Sequence, residues 1–213
     1  MPASSVAELI ERNNGGGAGN GVPLGHGGEG SGDSRIPQRI YVTGMILAIG
    51  GISMFFAALV SAWVVRKGFP NSDWQTIPLP RILWLNSLIL AASSLTLARS
   101  RRNLMAGCEF DYRHWWSVTT ILGAFFLAGQ LLAWRQMFAA GFFLATNPSS
   151  SFFYVFTAAH GLHLIGGIIG LLAIAWRLPR RLTHETATKV VALYWHFLSA
   201  LWLGIFALLL LEG

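Results

Sequence analysis

Charge is laid out along this chain so that few folds can accommodate it. No Asp, Glu, Lys or Arg falls between Arg39 and Arg66, between Arg81 and Arg99, between Arg113 and Arg135, or between Lys189 and Glu212. A fifth uncharged region runs from Gln136 to Trp176, and the turn-forming cluster Thr146-Asn147-Pro148-Ser149-Ser150-Ser151 interrupts it. Roughly 20 apolar residues at about 1.5 Å per residue cross the ~30 Å hydrocarbon core of a bilayer as a helix. The pattern therefore predicts five transmembrane helices, near 40–65, 81–99, 115–139, 151–176 and 190–211. Composition agrees. Only 11% of the 213 residues are charged, 54% are hydrophobic, and 9 are Trp and 14 Phe. Soluble domains carry about 25% charged residues. The expected fold class is all-α: a polytopic membrane bundle of five helices.

Two domains follow, a polar tail over 1–34 and the membrane domain over 35–213. The tail has ten glycines between Gly15 and Gly32 and little to bury, which predicts disorder or an extended path held by a partner. Only Ser5–Arg12 has the pattern of a short helix, with Ser4 or Ser5 as N-cap. Met1–Arg12 lacks the basic start and apolar core of a cleavable signal, so the first span is expected to direct its own insertion. Of the 15 Lys and Arg, eleven fall in the tail and in the 100–114 and 177–189 loops, and four on the other side. By the positive-inside rule the N-terminus is cytoplasmic and the C-terminus outside. Trp63, Trp84 and Trp134 would then mark the outer interface, and Trp115, Trp116 and Trp176 the inner one.

The net charge of +6 serves topology on this reading, and nucleic acid is not expected as a partner. A single cysteine, Cys108, cannot close an intramolecular disulfide or form a cysteine metal site. All nine acids lie in the tail, the loops or at Glu212. No carboxylate relay can be built inside the membrane from this chain alone, which weighs against a transporter. Neither does the sequence contain an inverted repeat.

Three histidines lie within spans. His160 and His163 are three residues apart and share one helix face, from which both can look toward the same neighbour; His196 is on the last helix. Haem ligation is one reading. Against it, His163 falls ~20 Å from the cytoplasmic end of its span and His196 only ~9 Å from that side. Hydrogen bonding between packed helices is the other reading. Gly166 and Gly170 have the spacing of a close helix contact, and Gln130, Asn86, Ser87, Ser93, Ser94 and Thr96 are polar side chains suited to interhelical bonds. The clusters Arg99, Arg101, Arg102 and Arg177, Arg180, Arg181 are candidate binders of anionic phospholipid headgroups.

Several segments resemble subunit III of the haem-copper cytochrome c oxidases. His160-Gly161-Leu162-His163-Leu164-Ile165-Gly166-Gly167 resembles that family's HGLHVxxG, and Tyr194-Trp195-His196-Phe197 with Trp202 resembles its YWHFxxxxW. Met54-Phe55-Phe56 with Ser61-Ala62, Asn86-Ser87 with Ser93-Ser94, and Leu122-Gly123…Phe126-Leu127…Gln130 resemble three further helices, in order over about 40–211. The resemblance implies a five-helix bacterial form without the first two helices of longer members, sited in the bacterial cytoplasmic membrane. Members carry no metal or catalytic centre of their own; haem and copper reside in partner subunits. They pack on subunit I, accompany subunit II and small subunits, and bind phospholipid while oxygen is reduced and protons are pumped.

The chain departs from the family at three carboxylate positions, where Ile52, Ala133 and Ser199 stand. That argues for a structural role over direct proton handling. His160, Gly161, His163, Gly166, Gly167, Gln130, Tyr194, Trp195, His196 and Phe197 are the expected motif residues, with no catalytic residue among them. The resemblance leaves the donor open between cytochrome c and quinol. A self-sufficient b-type cytochrome, with haem on His160 or His163 and His196, is the competing reading.

Overall fold

A computed structural model of the chain describes residues 38–69, 79–144, 147–176 and 181–211, with side chains described for 40–69 and 186–211 in the first and last of these. The N-terminal tail, including the short helix expected at Ser5–Arg12, lies outside the described residues, as do Arg177 and Arg180. Five helices make up the described chain: α1 Gln38–Lys67, α2 Ile82–Met105, α3 Glu109–Ala139, α4 Pro148–Trp176 and α5 Arg181–Leu210. All five are long and apolar enough to cross a membrane.

The helices end where local chemistry ends them, beyond the limits that charge suggested. α2 continues through Arg99, Arg101 and Arg102, because arginine is a good helix former. It stops at Gly107, whose φ of +77° suits a residue without Cβ. There the Cys108 N–H donates back to the Asn103 carbonyl and the Gly107 N–H to Leu104, the pattern of a Schellman cap. α3 ends in the same way at Gly141, with Phe142 N–H on the Met137 carbonyl. α4 starts three residues before the expected span. The Asn147 side chain accepts the Ser149 N–H at 3.1 Å, and Pro148 occupies the first helical position, where a missing N–H costs nothing.

α2 and α3 form the most closely packed pair, α3 packs on α4, and α5 lies against both α2 and α4. α1 touches only α4 and α5. Polar side chains tie the pairs. Thr96 and Thr119 hydroxyls meet at 2.8 Å, and Ser100 donates to the Tyr112 carbonyl at 3.0 Å, joining α2 to α3. Between α3 and α4, Trp134 donates to Thr157 and Trp116 to the Leu171 carbonyl, each at 3.0 Å.

The tryptophans expected at the membrane interfaces differ in burial. Trp116 and Trp63 are buried, whereas Trp84 and Trp176 are exposed. Trp116 turns inward because the buried Leu171 carbonyl gives its N–H a partner inside the bundle.

Candidate functional site

The two sequence motifs meet at Trp195. On α3, a Cβ added at Gly123 would stand 2.6 Å from the indole; on α4, one added at Gly167 would stand 3.2 Å from it. The absent Cβ atoms make the slot. The indole N–H donates to Ser93 on α2 at 3.1 Å, so this one α5 side chain touches α2, α3 and α4. Ser93 passes its own proton to the Leu90 carbonyl. Two turns on, the construction repeats: Trp202 donates to Ser87 at 3.0 Å, and Ser87 to the Leu83 carbonyl at 2.9 Å. Each serine hydroxyl thus accepts from one helix and donates within its own, which leaves no proton unpaired in an apolar interior.

The rest of the motif surrounds this seam. Tyr194 donates its hydroxyl to the His163 carbonyl at 3.1 Å, and the tyrosine oxygen lies 3.9 Å from where a Cβ on Gly166 would stand. Gly170, its GxxxG partner in sequence, faces Val191. Gly161 has open space at its Cβ position, and Phe197 is half-buried against the core.

The three intramembrane histidines are placed at comparable depth, not at the unequal depths expected. His163 is 13 residues from the end of α4, and His196 is 15 residues into α5, because α5 begins at Arg181 and not near 190. At about 1.5 Å per residue both distances are roughly 20 Å. What separates the rings is direction. His160 packs in the core against Phe126 and Trp202, with ring centroids 5.8 and 5.1 Å away. His163 turns to α1, between Phe55 and Phe56, and its Nδ1 donates to the Ala159 carbonyl at 2.7 Å. His196 Nδ1 lies 2.6 Å from the Ser94 hydroxyl on α2. His160 and His163 therefore do not share a neighbour, because the 300° turned over three residues leaves them on opposite flanks of one stripe. Two axial haem ligands must face each other across one iron, and no pair of these rings is so placed.

Among the described residues, no group of three or more His, Cys, Asp or Glu side chains is arranged to hold a metal ion. Gln130, expected to bond between helices, is buried, and neither amide atom has a hydrogen-bond partner among the described residues. Ala133, one of the expected carboxylate positions, is fully buried, and Ser199 donates to the Trp195 carbonyl of its own helix at 3.0 Å. Of the candidate headgroup binders, Arg99 lies 5.1 Å over the Trp115 ring. Arg102 is exposed and Arg101 half-exposed, while Arg177, Arg180 and the Arg181 side chain fall outside the described residues. Sequence reasoning missed the role of Gly123 as the floor of the tryptophan slot. Its signals were its place in the Leu122-Gly123…Phe126-Leu127 resemblance and its small size one turn before Phe126.

Fold and site together define a helix-bundle membrane protein whose motif residues lock helices to one another. The family described as cytochrome c oxidase subunit III matches residues 38–212, and the chain belongs to that family. It is 32% identical over 188 residues to a probable cytochrome c oxidase subunit 3 of Nocardia farcinica, covering 82% of this chain and 93% of that protein. It is 31% identical to the cytochrome c oxidase subunit 3 of Thermostichus vulcanus, over 79% of this chain and 85% of the relative. The Corynebacterium diphtheriae subunit 3 is 28% identical, over 83% and 94%.

Proposed function

We propose that this chain is a non-catalytic integral subunit of an aerobic terminal oxidase in a bacterial cytoplasmic membrane. The complex passes electrons from cytochrome c to oxygen and pumps protons. This chain supports its catalytic subunit I by helix packing and bound phospholipid, with subunit II and smaller subunits alongside. Haem and copper belong to those partners. The N-terminus faces the cytoplasm, as the eleven-to-four distribution of Lys and Arg favours. Membership of the subunit III family and the printed names of its relatives support the reading.

The observation that carries the non-catalytic part is the divergence of His160, His163 and His196. Each ring is committed to a different neighbour, so the most versatile side chains in the membrane interior serve packing. Arg99, Arg101 and Arg102, near the cytoplasmic end of α2 on this topology, are the proposed headgroup ligands, together with Arg177, Arg180 and Arg181.

The test is to purify the tagged chain in mild detergent and record a reduced-minus-oxidised spectrum. Haem absorbance should travel with a large multi-helix partner and disappear from the chain once that partner is stripped away. Haem retained by the isolated chain would sink the proposal. His163→Ala should impair assembly or lipid retention and leave the haem spectrum of any intact complex unchanged.

A further inference from the structure

We propose that the core of the bundle contains an internal water site held by Asn86 of α2, Gln130 of α3 and His160 of α4. Among the described residues, five buried polar atoms have no hydrogen-bond partner: Nδ2 of Asn86, Nε2 and Oε1 of Gln130, and both ring nitrogens of His160. These three side chains are 1%, 4% and 0% exposed, respectively.

Helix register brings them to one level. The Phe126 ring on α3 lies against His160 on α4, and Trp134, two turns later on α3, bonds Thr157, one turn earlier on α4. Gln130 stands midway between those contacts on the same buried face of α3. Asn86 reaches in from α2: its side-chain atoms lie 2.0–3.0 Å from where a Cβ on Gly129 would be, next to Gln130. The residue after Asn86 is Ser87, which accepts the N–H of Trp202, and the Trp202 ring packs on His160.

The donor set selects the ligand. A neutral imidazole has one donor and one acceptor nitrogen in either tautomer, and an amide offers two N–H groups and a carbonyl. The described interior has no carboxylate to hold a cation and no Lys or Arg to hold an anion. A small neutral molecule that both donates and accepts fits, and water is that molecule. Buried waters make about three hydrogen bonds each to otherwise unpaired groups, so about two would serve these five atoms. Because the ligands sit on three helices, such waters would bridge α2, α3 and α4 at this level.

The experiment is a density map of the intact complex, purified with whatever subunits accompany it, at a resolution that shows ordered water. Rounded peaks should lie roughly 2.7–3.2 Å from polar atoms of at least two of the three side chains. The proposal is overturned if the imidazole and the amides have turned to bond one another directly. It is overturned equally by an elongated or metal-strength peak, or by none. A second map, of Gln130→Met, should lose the peak nearest residue 130 and keep one on His160 or Asn86; an unchanged set of peaks would also overturn it. Should that variant fail to assemble, the map of the unaltered complex still decides.

Discussion

α1 and α5 are each thirty residues long and predominantly apolar, yet they hold opposite places in the molecule. α5 buries the hydrophobic residues Ala192, Trp195, Leu198, Trp202, Ile205, Phe206 and Leu209, whereas among its described side chains α1 buries only Phe56 and Trp63. Nothing stands within 4 Å of the Cβ positions of Gly44, Gly50 and Gly51 on α1, while the space beside Gly123 and Gly167 is filled by Trp195 of α5. In a membrane, apolarity does not draw helices together, since lipid is as apolar as leucine. Close packing and paired polar groups decide who sits inside. α5 brings two indole N–H groups and a histidine to three serines of α2, whereas α1 meets α4 through the rings of Phe55 and Phe56 on His163. Its Ser53 donates to its own helix, at the Ile49 carbonyl.

Substitutions can break or sharpen that contrast. The largest loss should come from Trp195→Ala, which empties the slot between Gly123 and Gly167. Burial of this size predicts a cost of about 3–5 kcal/mol, measured as denaturant or thermal unfolding of the purified complex. Phe55→Ala on α1 removes an aromatic ring of the same helix-facing class from a half-exposed position and should cost far less. An equal cost at the two sites would dissolve the distinction.

Gly123→Ala comes next. Its methyl would stand 2.6 Å from the indole, and overpacking of this kind costs about 1–3 kcal/mol. Gly50→Ala should instead be neutral or slightly stabilising, because alanine is the better helix former by about 1 kcal/mol. If Gly50→Ala weakens co-purification of a partner, that face of α1 is covered by another chain and not by lipid.

Smallest is the Ser94–His196 bond. Interhelical bonds of this kind in membranes average about 0.6 kcal/mol, and a double-mutant cycle of Ser94→Ala with His196→Phe should return a coupling of that order. A coupling near zero would leave the two tryptophan–serine bonds as the side-chain ties from α5 to α2.

Charge made the five helices legible in the sequence, and the turn cluster at 146–151 divided the longest uncharged region correctly. Ends were less legible, because arginines such as Arg101 extend a helix as readily as they mark its exit. Only the cap glycines Gly107 and Gly141 show where it stops. The motif residues could be named from the sequence, but their directions could not. His160 and His163 look equivalent at a spacing of three residues, and only the placement of α1 and α5 on different flanks of α4 separates them. The expectation that Gln130 bonds directly between helices is not met, since neither of its amide atoms has a hydrogen-bond partner among the described residues.

The ties between α2 and α5 have a consequence in time. Ser87, Ser93 and Ser94 are joined to Trp202, Trp195 and His196, partners that follow them by 115, 102 and 102 residues. At roughly 5–20 residues per second, a ribosome delivers those partners about 5–20 s later. Through that interval α2 is already committed to the membrane with one polar flank unanswered, while α3, arriving first, covers another through Thr119 and Tyr112. The nascent α2–α3 hairpin thus precedes the donors that α5 brings to its serines, and the α2–α5 seam can close only when the last helix arrives.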